Sequence, residues 1–185
     1  MTSGTTLRDD QMRLGLWMFL GTVTMLFSAF ASAYIVRRSG SDWQPVALPS
    51  LLWANTAVLV LSSAALEAAQ RLGLRGKWDA AIAGCGAAVA GGLVFLGGQW
   101  AAWRRLTEAG VYLPTSPHSS FFFMLTGAHA VHILAALVVL MWGLAMTQRA
   151  RTDPARWPAR MELCRTFWHY LGGVWIFLFA LLSLY

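Results

Sequence analysis

Hydrophobic positions in this chain gather into long runs separated by short polar segments. Five runs stand out, at residues 14–36, 50–69, 80–103, 120–146 and 164–184. Each holds about 20 residues or more, and at ~1.5 Å of rise per residue an α-helix of that length crosses a hydrocarbon core of ~30 Å. Lipid offers no partner to open backbone N–H and C=O groups, and the alternating pattern of a barrel strand is missing, so the runs predict five transmembrane helices. The first run begins too late and is too long for the apolar region of a signal peptide. It is expected to be a retained span.

The connections are short, the longest about 16 residues, and hold no soluble domain. Residues 1–185 therefore read as one all-α membrane domain, an integral bundle of five transmembrane helices. Pro45, Pro49, Pro114, Pro117, Pro154 and Pro158 are all placed in connections, where a missing amide donor costs little. Unbroken spans are the expectation, unlike the discontinuous helices that hold substrates in many transporters.

Composition agrees: 57% of the residues are hydrophobic and 12% charged, more apolar surface than a soluble core of 185 residues can hide. The net charge of +6 does not form a nucleic-acid patch, because the basic residues sit at the ends of the runs. They also suggest an orientation. Arg8 and Arg13, Arg71, Arg75 and Lys77, and Arg149, Arg151, Arg156, Arg160 and Arg165 would lie on one side, ten in all, against four on the other, Arg37, Arg38, Arg104 and Arg105. The positive-inside rule then predicts a cytoplasmic N-terminus and a periplasmic C-terminus. Cys85 falls mid-span and Cys164 at a span end, which suits neither a disulfide nor, without a CxxC or CxxCH, a covalent haem.

The third run carries Gly84, Gly86, Gly91, Gly92, Gly97 and Gly98. Gly84, Ala88 and Gly92 lie four apart, a stripe that lets a neighbouring backbone approach. Gly21, Met25, Ser28 and Ser32 form a smaller stripe on the first run, also read as packing. His129 and His132, three apart, point to roughly one side of a helix. Intramembrane ionisable groups are candidates for metal binding or proton relay. Further ligands are lacking, however: His118 and His169 are the only other histidines, the cysteines are badly placed, and Glu67 is the only carboxylate well inside a run. A pair of hydrogen-bonded interhelical histidines is preferred over a closed metal site, which wants four convergent ligands. A haem shared by His129 and His169 is disfavoured too, since on adjacent antiparallel helices their depths would differ by the order of 15 Å. Gln99, Asn55 and Thr56 are read as interhelical hydrogen-bonding groups. Trp17, Trp53, Trp100, Trp103, Trp142, Trp168 and Trp175 are read as an aromatic belt. No nucleophile, carboxylate pair or phosphate loop emerges, and from the residues alone the chain is a redox-silent bundle.

Several blocks nevertheless resemble subunit III of the haem-copper respiratory oxidases. Phe121-Phe122-Phe123-Met124-Leu125-Thr126-Gly127-Ala128-His129-Ala130-Val131-His132 is similar to the family's Phe-Phe-x-x-Thr-Gly-Phe-His-Gly-Leu-His. Trp168-His169, with Trp175 six residues after the histidine, resembles the start of its last helix. Leu52 to Thr56 with Leu59, Ser62 and Ser63 looks like Leu-Leu-Asn-Thr-x-x-Leu-Leu-x-Ser-Ser, with Ala54 as a departure. Phe95 and Gln99 match Phe-x-x-x-Gln, and Gly15-Leu16-Trp17-Met18-Phe19 with Met25 and Phe27 resembles the family's Gly-Met-x-x-Phe … Met-Phe-Phe helix.

The resemblance implies a non-catalytic subunit of a bacterial aerobic terminal oxidase, packed on subunit I beside subunit II in the inner membrane. It would support assembly, the lipid environment and sustained proton uptake. Cytochrome c would be the donor to the complex, with quinol as the alternative. Haem and copper would reside in partner subunits, and this chain would hold no catalytic, cofactor or metal site, with bound phospholipid as a candidate ligand. Trp17, Asn55, Thr56, Gln99, Thr126, Gly127, His129, His132, Trp168, His169 and Trp175 would be the family-motif residues. The chain starts at what resembles the third helix of the longer mitochondrial type. Val23, Ala102 and Gly172 stand where many relatives carry Glu, Glu and Asp, so roles of those acids do not transfer. A nitric oxide reductase-associated relative, and an independent channel or carrier, are the rival readings.

Overall fold

The computed structural model describes residues 3–150, 152, 154–155 and 157–184, with side chains over positions 10–183 of that set. Arg151, Arg156 and Tyr185, and the side chain of Arg8, lie outside the described residues. Five helices are present: α1 (Ser3–Arg37), α2 (Leu51–Leu74), α3 (Trp78–Glu108), α4 (Pro117–Arg149) and α5 (Trp157–Leu184). All five are long and apolar enough to cross a membrane, and the described residues contain no strand.

The helix ends follow local chemistry. Ser116 caps α4 by accepting from the Ser119 N–H, while the Ser119 hydroxyl accepts from the Ser116 N–H, a reciprocal capping box that satisfies two otherwise orphaned donors. Pro117 and Pro158, expected in connections, are the first residue of α4 and the second of α5. There the proline lacks only an N–H that a helix start leaves unused. Past the C-terminal ends of α2 and α3, Gly76 (φ 73°) and Gly110 (φ 79°) take the left-handed conformation that turns the chain back.

Helices α2, α3, α4 and α5 pack in a ring, each against the next and α5 against α2, with α1 leaning on α4 and α5. The pairing of named residues fixes the directions. Asn55, Ser62 and Ala69 of α2 meet Gly98, Gly91 and Gly84 of α3, an antiparallel match with a spacing of seven on both helices. The close-approach stripe is therefore Gly84-Gly91-Gly98, one heptad apart, and not the four-residue stripe the sequence suggests. Gly92 instead faces Leu137 of α4 and Trp168 of α5. Two α2 side chains fasten this contact to the α3 backbone: Asn55 Nδ2 donates to the Phe95 carbonyl at 2.9 Å and Ser62 Oγ to that of Ala88 at 2.9 Å.

The corresponding reading of α1 does not hold. Gly21 and Met25 face away from the rest of the chain, Met25 being 74% exposed, while Ser28 and Ser32 are exposed on the walls of open grooves and are not packed against a helix. The opposite face of α1, with Leu20, Val23, Phe27, Ala31 and Tyr34, is the buried one. It is joined to α5 by Thr24 and Tyr170, whose hydroxyls are 2.6 Å apart, and by the ion pair of Arg13 with Glu162 at 2.7 Å. At the end of α1, Arg37 grips Asp42 of the following connection with both guanidinium nitrogens, and those bonds hold the Asp42 carboxyl below the usual carboxylate range.

Candidate functional site

The motif residues divide into an interior cluster, a polar seam on one flank, and two positions that face outward. The interior cluster forms where all five helices meet. Trp175 of α5 is buried and donates from Nε1 to Thr56 Oγ1 of α2 at 2.9 Å, and the Thr56 hydroxyl donates in turn to the Leu52 carbonyl. The Trp175 ring stands edge-on to Phe95 of α3, with centroids 4.9 Å apart, and lies 5.4 Å from His129 of α4. Phe27 of α1 and Phe95 close on His129 from two further sides, each at 6.1 Å. Beyond this level, Trp103 Nε1 donates to Thr126 Oγ1 at 3.0 Å, and Thr126 donates to the Phe122 carbonyl at 2.6 Å.

His129 and His132 do not form the expected interhelical hydrogen-bonded pair. The three-residue offset turns them some 60° apart about α4. His132 Nδ1 donates to the Ala128 carbonyl of its own helix at 2.8 Å, and its ring meets Phe19 and Phe27 of α1. Among the described residues, fully buried His129 has no hydrogen-bond partner at either ring nitrogen, and the equally buried Gln99 has none at its amide oxygen or nitrogen. An unmet polar atom in such a place costs about 1–3 kcal/mol.

His169 lies elsewhere. Trp175, the ring that touches His129, follows it by six residues, about 9 Å along the α5 axis. Its Nε2 is 3.8 Å from Glu67 of α2, which accepts from Arg165 of α5 at 2.8 Å and from Arg71 at 3.0 Å. Among the described residues, no three His, Cys, Asp or Glu side chains gather as a metal would require. On its other side His169 borders a groove between α1 and α5, shared with Thr24, Phe27, Ser28, Tyr170 and Phe177.

The aromatic-belt expectation needs correcting. Trp168 and Trp175 are core residues, 0% and 1% exposed, whereas Trp17, Trp53 and Trp100 are more than 60% exposed, as a lipid-facing belt requires. The motif residue Gly127 packs against no neighbouring helix among the described residues, since a Cβ there would meet nothing within 4 Å. Sequence reasoning missed a further cluster at one end, where the Tyr34, Trp43 and His118 rings pack at 5.1–5.9 Å and His118 Nδ1 accepts from the Val46 N–H. The isolated polar His118 beside Pro117 was its one available signal.

The Glu67 geometry predicts a chemical result. Hydrophobic carbodiimides add to protonated carboxyls, whereas this carboxylate accepts from two guanidiniums and is bonded in its charged form. Peptide mass mapping of the treated subunit should find no adduct at Glu67, and Arg165→Gln with Arg71→Gln should make it reactive.

Comparison with known proteins agrees with the motif cluster. Residues 3–185 match the family Cytochrome c oxidase subunit III. A probable cytochrome c oxidase subunit 3 of Mycobacterium tuberculosis is 28% identical over 201 residues, covering 98% of this chain and 95% of the relative. The cytochrome c oxidase subunit 3 of Thermostichus vulcanus is 28% identical over 179 residues, covering 91% and 85%. The cytochrome bo(3) ubiquinol oxidase subunit 3 of Pseudomonas aeruginosa is 30% identical over 181 residues, covering 92% and 83%. With five membrane-crossing helices and a match over nearly its full length, this multi-pass chain belongs to the cytochrome c oxidase subunit III family of the haem-copper oxidases.

Proposed function

We propose that this chain is the non-catalytic third subunit of a bacterial aerobic terminal oxidase that takes electrons from cytochrome c. The observation that carries the reading is the family match over residues 3–185, together with relatives named as cytochrome c oxidase subunits that align along almost their whole length. In this reading the chain sits in the inner membrane with its N-terminus in the cytoplasm, the side that receives the larger share of basic residues. Its interior is spent on aromatic packing and interhelical hydrogen bonds, and redox chemistry belongs to subunits I and II. Its contribution is to hold subunit I in a stable lipid setting while protons are taken up. The ubiquinol oxidase relative, at 30% identity, keeps quinol as a second donor reading.

Affinity isolation of the tagged chain from its own membranes in mild detergent, followed by native mass spectrometry, tests the proposal. The chain should be recovered in one complex with a haem- and copper-bearing subunit I and with subunit II, and that complex should oxidise reduced cytochrome c. Recovery of the chain by itself, or haem retained on it after separation, would overturn the reading. Oxidation of quinol but not cytochrome c would select the second donor.

A further inference from the structure

We propose that Gln99 and His129 together bind internal water at the centre of the bundle, and that this water is part of the join between α3 and α4. The placement rests on two rungs that α3 and α4 make with each other. At one, the Phe95 ring meets His129; at the other, Trp103 Nε1 bonds to Thr126. Gln99 lies on the same face of α3, four residues from each of Phe95 and Trp103, about 6 Å of rise from either. His129 lies one turn from Thr126 on the facing side of α4. That register sets Gln99 between the two rungs, on the face of α3 that meets His129.

The hydrogen-bond inventory of the two side chains requires a third party. A neutral imidazole has one donor and one acceptor, and a primary amide has two donors and an acceptor oxygen. A direct Gln99–His129 bond meets one function of each and leaves the rest. The surroundings do not supply the remainder. Phe27, Phe95 and Trp175 wall the imidazole, the Trp175 N–H is committed to Thr56, and the Phe95 carbonyl already accepts from Asn55. Both residues are at most 1% exposed, so neither lipid headgroups nor another chain reach them. Water is small enough and can both donate and accept, which is how buried polar groups without protein partners are ordinarily met.

The decisive experiment is cryo-electron microscopy of the complete oxidase at a resolution where ordered interior waters are visible. Density is expected within hydrogen-bond distance of both the Gln99 amide and a His129 ring nitrogen. Interior waters seen elsewhere but not here, or Gln99 bonded directly to His129 with no water beside them, would overturn the proposal. A second measurement uses Gln99→Leu, His129→Phe and the double variant, reading the temperature at which the subunit leaves the complex. Each single change should lower it by roughly 3–10 °C, and the double change no more than the worse single one. Additive losses would show that the two side chains do not share a site. If a single variant is not recovered, Gln99→Met takes its place and the density in the natural protein remains the deciding result.

Discussion

Gly91→Leu should strip this subunit from its oxidase, with recovery in the purified complex falling by more than tenfold. Gly91 faces Ser62 of α2 at the middle of the tightest helix pair, and a Cβ alone would stand 2.7 Å from Ser62 Cβ. Contact that close obliges the helices to separate. Asn55 and Ser62 then lose hold of the Phe95 and Ala88 carbonyls, because each bond depends on the close approach. Overpacking by a methyl costs about 1–3 kcal/mol, so Gly91→Ala should be a partial defect and the leucine a severe one. Ser62→Gly should return part of the loss in Gly91→Ala, since it removes the clashing atom. Gly97 provides the contrast: a Cβ there would meet nothing within 4 Å, and Gly97→Ala should be neutral or stabilising by up to ~1 kcal/mol through helix propensity. Equal loss in Gly91→Ala and Gly97→Ala, measured as thermal release of the subunit, would show that the contact is not what matters.

That contrast also marks what could be read from the residues alone. The five helices were legible, because a run of about 20 apolar residues in lipid has almost no structure open to it but a helix. Which face of each helix turns inward was much less so. In a soluble protein the polar face announces the outside, whereas here the outside is apolar too. Gly21 looks like a packing position and faces outward; Gly91 and Gly98, set seven apart, carry the α2–α3 contact. The same ambiguity misplaced the tryptophans. Trp17 and Trp175 both read as belt residues, yet one is 64% exposed and the other is buried with its N–H satisfied by a threonine more than a hundred positions away.

The candidate site was legible mainly as a list, through the resemblance, and its internal arrangement was not. Asn55, Thr56, Gln99, Thr126, His129 and Trp175 come from four helices and converge at the middle of the bundle, which no spacing within one run discloses. Glu67 reads in the sequence as the only carboxylate well inside a run, but Arg165, 98 positions away, reaches it from α5. A charge in an apolar run is expensive unless answered, and the answering group came from a distant part of the chain.

Trp175→Ala should cost about 3–5 kcal/mol and leave little assembled subunit, the largest effect of any single truncation in the interior. The indole fills the space between α2, α3 and α4, packing against Phe95, His129 and Phe179. Its removal opens a cavity whose walls come from separate helices and close only if the ring of helices shifts. Trp175→Phe isolates the polar part of the contact, keeping an aromatic ring while giving up the bond to Thr56, and should cost about 1–2 kcal/mol. Thr56→Val does the reverse: it takes from the buried Trp175 N–H the acceptor that the fold gives it, at a cost of about 1–3 kcal/mol. The double variant Trp175→Phe with Thr56→Val removes both ends of the bond together and should be less harmful than the two single changes added. Thermal release of the subunit from the solubilised complex, measured for all four forms against the natural chain, gives the coupling directly. Strict additivity of Trp175→Phe and Thr56→Val would mean that the 2.9 Å contact contributes nothing of its own and that Trp175 acts by volume alone.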